Sequence, residues 1–112
     1  MYEGIIVEER LIDSRLLNSI SIQSVKIINA EKLAERWHIY KVLVDEDQLC
    51  RLSKELKHEK WYMHFWNKDT MVAIFPDKTF TFKFSDGSSR NDAIEHGMSL
   101  GIPREQLDFL IE

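Results

Sequence analysis

The sequence predicts an α+β fold in which a largely antiparallel sheet is covered on one face by two main helices. Three runs that alternate apolar and polar residues lie between 60 and 84 and are separated by short polar turns. Such turns join antiparallel strands, because a parallel crossover needs a dozen or more residues, so the three runs predict a meander. Segments with apolar residues at helical spacing precede and follow the meander, and they predict the two helices.

Length and composition predict one domain that spans residues 1–112. A chain of 112 residues, 44% of them hydrophobic, is long and apolar enough to bury a core of its own. Its 4 glycines and 2 prolines are too few for a collagen-like or low-complexity chain.

The acidic balance of the chain argues against nucleic acid as a partner. The formal net charge is −4, with 8 basic against 10 acidic residues in 1–56 and 7 against 9 in 57–112. Neither half therefore supplies the basic surface that neutralises phosphates. The single Cys50 cannot form an intramolecular disulfide, and no spacing of cysteine and histidine predicts a zinc site.

The sequence predicts a cytoplasmic protein without a membrane segment. No run approaches the roughly 18 apolar residues that a membrane-spanning helix needs. The first residues include Glu3, Glu8 and Glu9, whereas a secretory signal begins with basic residues.

The first 36 residues predict short elements. Apolar runs predict strands at 4–9 and 25–28 and a helical turn at 13–19. Asn29 is the expected N-cap of a short helix at 30–36, which buries Leu33.

The strand at 37–44 and the helix that follows it have stronger signals. Aromatic and β-branched residues fill this strand, as is typical of a pleated surface. Asp45 and Gln48 lie three residues apart and predict a capping box. The leucines of the helix recur at i, i+3 and i+7 and form one apolar stripe: Leu49, Leu52 and Leu56.

The meander is predicted to consist of strands at 60–66, 70–75 and 79–84. Its last strand alternates phenylalanine with polar residues, so its inward residues are Phe80, Phe82 and Phe84.

The second helix is predicted to have Ser89 and Asp92 in a capping arrangement, with Ala93 and Gly97 close to the sheet. It ends at Gly101, which suits a left-handed residue after a helix, followed by Ile102 and Pro103. Leu107, Phe109 and Leu110 belong to a short final helix that begins at Pro103.

The strand at 61–66 has large side chains on both faces. One face is expected to pack in the core beneath the helices, and the other is either covered by another segment or exposed. If that face is exposed, its aromatic residues form a platform together with side chains of strand 37–44. An exposed platform would suit self-association, partner docking or stacking of a flat ligand. If the N-terminal segment covers this face instead, its aromatic residues are ordinary core residues. The candidate ligand or interface residues are Tyr40, Tyr62, His64, Trp66 and His38.

The leading functional prediction is a non-enzymatic binding or regulatory module, because no nucleophile elbow, phosphate loop or metal motif is present. Its expected partner is a second copy or another protein, and the sequence predicts no cofactor and no metal. The alternative is a small enzyme or small-ligand-binding protein with a pocket near His38, Tyr40 and His64.

The C-terminal half resembles a group of small uncharacterised bacterial proteins. The resemblance is carried by the W-Y-x-H-F-W strand at 61–66, the segment at 75–80 and the tail at 93–109 with its G-I-P-x-E-Q-L pattern. It implies a stand-alone bacterial cytoplasmic protein and brings no catalytic residue, cofactor or substrate.

Overall fold

A sheet in the order β2–β3–β1–β4–β5–β6 forms the centre of the protein. The computed structural model describes residues 1–58, 61–83, 85–107 and 109, and within them six strands pair antiparallel throughout and two main helices are present. The α+β architecture and the single domain are therefore as predicted. The strands are β1 Tyr2–Val7, β2 Ser21–Ile27, β3 His38–Val44, β4 Met63–Asn67, β5 Thr70–Phe75 and β6 Lys78–Lys83, and the helices are α1 Glu46–Glu55 and α2 Gly87–Ser99.

The predicted meander is present as β4, β5 and β6. Its two hairpin turns place Lys68 at φ 57° and Asp77 at φ 62°. The left-handed region is uncommon outside glycine, and aspartate is among the residues that tolerate it best. Lys60 and Phe84, at the predicted ends of the meander, lie outside the described residues.

The prediction that both helices cover one face of the sheet is wrong, because they pack on opposite faces. Leu52 of α1 packs in a core with Val72 and Ile74 of β5. Ala93 of α2 packs in a second core with Ala73 of the same strand. The reason lies in β5, whose residues from Met71 to Phe75 are all buried and present apolar side chains to both faces.

Local signals fix the start of each helix. The Asp45 carboxylate accepts from the backbone N–H of Gln48 at 2.8 Å. The side-chain carbonyl of Gln48 accepts from the backbone N–H of Asp45 at 2.9 Å, so the predicted capping box is confirmed. The predicted cap of α2 is wrong, because Asp86 rather than Ser89 precedes the helix. Asp86 accepts from the backbone N–H groups of Ser88 and Ser89, which leaves Asp92 inside the helix.

The predicted end of α2 is confirmed. Gly101 has φ 90°, and Ile102 donates its backbone N–H to the carbonyl of Gly97 at 3.1 Å, as in a Schellman motif. A Cβ added at Gly97 would lie 2.7 Å from Leu107 and 3.2 Å from Phe75. The absence of a side chain thus lets the segment after α2 pack tightly between helix and sheet. Leu110, expected in the short final helix, is outside the described residues.

The N-terminal predictions are only partly correct. The turn at 13–19 is a 3₁₀ helix capped by Asp13. The helix predicted at 30–36 is reduced to a single 3₁₀ turn at Leu33–Glu35, and Leu33 is 78% exposed rather than buried. None of the helices in the described part of the chain is long and apolar enough to cross a membrane.

Candidate functional site

The five residues singled out from the sequence do not share a surface. Gly4 of β1 pairs with Val42 of β3 on one side and with Phe65 of β4 on the other, so these two residues point to the same face. His38 and Tyr40 alternate in phase with Val42 and therefore lie on the α1 face. Tyr62, His64 and Trp66 are out of phase with Phe65 and lie on the α2 face. The predicted platform that combines the two sets is therefore wrong.

The aromatic face of β4 is covered rather than open. Trp66 is 5% exposed and donates its indole N–H to Glu3 at 3.1 Å. Phe109, from the segment after α2, packs edge-to-face against Tyr62 and His64 with ring centroids 5.5 and 6.3 Å apart. Ordinary core packing thus accounts for Trp66, whereas Tyr62 and His64 remain half-buried at the border of the covered area.

A concave site lies beside that border, and we call it the aromatic groove. It has a volume of about 630 Å³. Its floor is apolar, and its walls carry aromatic rings with a few polar groups. The lining residues are Ile5, Val7, Arg10, Trp37, Trp61, Tyr62, Met63, His64, Glu105 and Gln106.

The wall of the aromatic groove is built around the side chain of Arg10. The guanidinium carbon lies 4.7 Å from the ring centroid of Trp37 and 4.7 Å from that of Trp61. The two indoles meet edge-to-face, with centroids 6.1 Å apart and planes at 84°. The backbone carbonyl of Arg10 accepts from the N–H of Lys57 at 2.9 Å, which fixes the base of the side chain.

The topology explains why these three residues meet. Arg10 follows β1, Trp37 immediately precedes β3, and Trp61 precedes β4. Because β1 runs antiparallel to both neighbours, its C-terminal end lies beside the beginnings of β3 and β4.

The polar side chains of Trp61, Tyr62 and His64 border the aromatic groove. The indole N–H of Trp61 is shielded from solvent and has no hydrogen-bond partner among the described residues. Tyr62 donates its hydroxyl to the backbone carbonyl of Gln106, and this bond ties the segment with Glu105 and Gln106, which also lines the groove, to the start of β4. The ring of His64 packs between those of Tyr62 and Trp66, at centroid distances of 6.0 and 5.7 Å.

A polar cluster lies on the opposite, α1 face at the same end of the sheet. We call it the Glu-His cluster, and it consists of Glu8, Glu9 and His38. His38 Nδ1 lies 2.8 Å from Glu9 Oε2 and 3.9 Å from Glu8 Oε2. Tyr40 donates its hydroxyl to Glu8 Oε1 at 2.8 Å.

These contacts shift the pKa values of His38, Glu9 and Tyr40. The hydrogen bond with Glu9 raises the pKa of His38, although desolvation opposes it. Desolvation raises the pKa of Glu9, but the bonds from the His38 ring and backbone outweigh it and lower the pKa overall. The hydrogen bond to Glu8 raises the pKa of Tyr40.

Sequence reasoning missed the residues that organise both places. Arg10, Trp37 and Trp61 were not among the candidates. Glu8 and Glu9 reach His38 only through the pairing of β1 with β3. One signal in the sequence could have pointed to them: charged and indole side chains lie just outside the strand ends, where side chains no longer alternate between the two faces of the sheet.

Comparisons with known proteins assign no family to this chain. The resemblance to small bacterial proteins stays a prediction, since nothing found here tests it. No protein-family model, curated protein or solved structure matches this chain.

Proposed function

We propose that the protein is a small cytoplasmic binding module whose aromatic groove takes a planar organic ligand that carries one carboxylate. The observation that supports this proposal most is the guanidinium of Arg10, which contacts the rings of both Trp37 and Trp61 in the wall of the groove. The proposal keeps the predicted class of binding module and moves the binding site from the strand face to the groove.

The size and lining of the groove suit a small molecule. A volume of about 630 Å³ falls within the range of roughly 300–1,000 Å³ that is usual for small-ligand sites. Ile5 and Val7 offer an apolar floor, and the ring of Tyr62 offers a flat surface beside it. A planar, largely apolar ring system would be desolvated against these groups.

The charge in the groove favours an anionic group on that ligand. Arg10 places a guanidinium cation in the lining, 4.7 Å from each of two nearly perpendicular indole rings. A guanidinium is a planar fork that matches the geometry of a carboxylate, and its contacts with the two rings reduce the side-chain entropy that binding would cost. Glu105 also lines the groove and disfavours a second negative charge.

Two earlier expectations are not part of this proposal. The enzyme alternative needed His38, Tyr40 and His64 beside one pocket, and these residues lie on opposite faces of the sheet. Self-association through the aromatic face needed an exposed Trp66, and this residue is 5% exposed.

A charge series of naphthalene probes tests the proposal by isothermal titration calorimetry. We expect 2-naphthoate to bind in one-to-one stoichiometry, 2-naphthylmethylamine to bind much more weakly and acetate not to bind measurably. Arg10→Met should weaken naphthoate binding about tenfold or more, the factor that follows from losing one charge-assisted hydrogen bond of roughly 1.5 kcal/mol.

Arg15→Met is the matched control for this charge change. Arg15 is 84% exposed and its side chain pairs with Asp13, outside the groove. Equal affinity of the anionic and cationic probes, or equal loss of binding in both variants, would contradict the proposal.

A further inference from the structure

We propose that the Glu-His cluster is a binding site for a divalent transition-metal ion of the zinc type. Glu8, Glu9 and His38 each offer one ligand atom, and these atoms all lie within 4.8 Å of one another. Carboxylate oxygen and imidazole nitrogen are both ordinary ligands of zinc. The site is separate from the aromatic groove, since its side chains lie on the other face of the sheet.

The spacing of the donor atoms fits a metal ion at their centre. Metal–ligand bonds of 2.0–2.1 Å in tetrahedral geometry place neighbouring ligand atoms roughly 3.3 Å apart. The distances from His38 Nδ1 to Glu9 Oε2 and to Glu8 Oε2, 2.8 and 3.9 Å, lie on either side of that value. All three atoms lie within 4.8 Å of one another, so side-chain shifts of up to about an ångström would bring them to the spacing of three protein ligands, with water as the fourth.

Donors from β3 already orient both carboxylates. The hydroxyl of Tyr40 holds Glu8 Oε1 at 2.8 Å, and the backbone N–H of His38 holds Glu9 Oε1 at 2.8 Å. Each carboxylate thus has one oxygen tied down and the other directed toward His38 Nδ1. Outer hydrogen bonds of this kind fix the orientation of ligands in metal sites.

Charge and access support a divalent ion in particular. Two carboxylates approach a single imidazole here, and an imidazolium balances only one of the two negative charges. A divalent ion balances both. The side chains of Glu8, Glu9 and His38 are 30%, 32% and 39% exposed, so an ion can enter without a change of fold.

The imidazole also determines which ion fits. Magnesium prefers oxygen ligands in octahedral geometry and retains several waters, whereas imidazole suits zinc, copper, iron and nickel. The sequence shows no metal motif here, because Glu9 and His38 are 29 residues apart along the chain. The pairing of β1 with β3 brings two carboxylates to His38 from the 3₁₀ turn that directly follows β1.

Zinc titration of tag-free protein by calorimetry tests the site, in a Cys50→Ser background because Cys50 is exposed and its thiol can bind zinc. We expect one saturable zinc site that magnesium does not displace. Glu9→Gln should abolish it, while the glutamine carbonyl can still accept from the backbone of His38. Tyr40→Phe should weaken zinc about tenfold, the lower end of the effect of outer-shell partners.

His58→Gln is the matched control, because His58 also lies near one carboxylate, with Nε2 3.1 Å from Asp77 Oδ2, but belongs to no group of three candidate ligands among the described residues. It should bind zinc like the parent. Glu8→Gln provides a second ligand variant, and circular dichroism checks that every variant is folded. Folded Glu8→Gln and Glu9→Gln variants with parental zinc affinity, or equal loss in His58→Gln, would overturn the site. Naphthoate binding serves as a separate readout, since failure of zinc binding leaves it unchanged.

Discussion

Gly4 of β1 leaves the space that the ring of Phe65 of β4 occupies. A Cβ built at Gly4 would lie 2.1 Å from Phe65 Cδ2, far inside van der Waals contact, and Phe65 is fully buried. The close approach allows the aromatic ring to lie across the middle of the sheet, where β1 pairs with both β3 and β4. The glycine is therefore required by packing rather than by its backbone conformation.

Gly4→Ala is expected to destabilise the protein by about 1–3 kcal/mol, the usual cost of overpacking a well-packed core. Chemical denaturation should show a lower midpoint with an unchanged slope. Gly87→Ala is the control, because the atom nearest to a Cβ there is 3.8 Å away and belongs to the flexible side chain of Arg90. Equal stability of the two variants would contradict the packing argument.

Asp86→Ala is expected to cost about 1 kcal/mol of stability, since it removes the N-cap of α2. The side chain of Asp86 accepts from the backbone N–H groups of Ser88 at 3.1 Å and Ser89 at 3.4 Å. Asp92→Ala should have little effect, because Asp92 is exposed inside the helix. Thermal denaturation of the two variants separates the observed cap from the one that the sequence predicted, and a larger loss for Asp92→Ala would favour the latter.

The features that could be predicted from the sequence are those with signals a few residues apart. The Asp45–Gln48 capping box depends on neighbours along the chain, and so does the end of α2 at Gly101. The β4–β5–β6 meander is also local, because its turns are too short for any other connection. The cap of α2 shows the limit of such reasoning, since Asp86 and Ser89 are both good capping residues and the helix begins after the first of them.

The features that could not be predicted depend on which strand pairs with which. β1 inserts between β3 and β4, and only this order places Tyr40 and Trp66 on opposite faces. The same insertion brings Arg10 to Trp61 and Glu9 to His38, across large separations in sequence. A single sequence carries no local signal for these contacts, because the strands satisfy the same alternation in either pairing.

The contact between Glu9 and His38 predicts a defined pH dependence in the metal-free protein. Folding raises the pKa of His38 above its ordinary 6.5, so its contribution to stability is complete below 6.5 and is lost as the pH rises through the folded value. Folding lowers the pKa of Glu9 below its ordinary 4.5, so its contribution is present above 4.5 and is lost as the pH falls through the folded value. The pair therefore stabilises the protein most between 4.5 and 6.5.

An NMR titration of the His38 ring, in the presence of a chelator, measures this effect directly. Glu9→Gln should lower the pKa of His38 toward its ordinary value, because the hydrogen bond with the carboxylate is its largest cause. Asp13→Asn is a suitable control, since Asp13 pairs with Arg15 instead. A titration of His38 that is unchanged in Glu9→Gln would show that the two side chains do not interact in solution.

The last prediction separates charge from geometry in the aromatic groove. Arg10→Lys retains the positive charge but loses the planar fork that contacts Trp37 and Trp61. We expect its affinity for 2-naphthoate to fall between those of the parent and of Arg10→Met. If the charge alone attracted the carboxylate, Arg10→Lys would bind like the parent, and the affinity would fall steeply with salt. If the stacked geometry matters, Trp61→Leu should weaken naphthoate binding even though Arg10 is unchanged, because the guanidinium then loses one of the two rings that orient it.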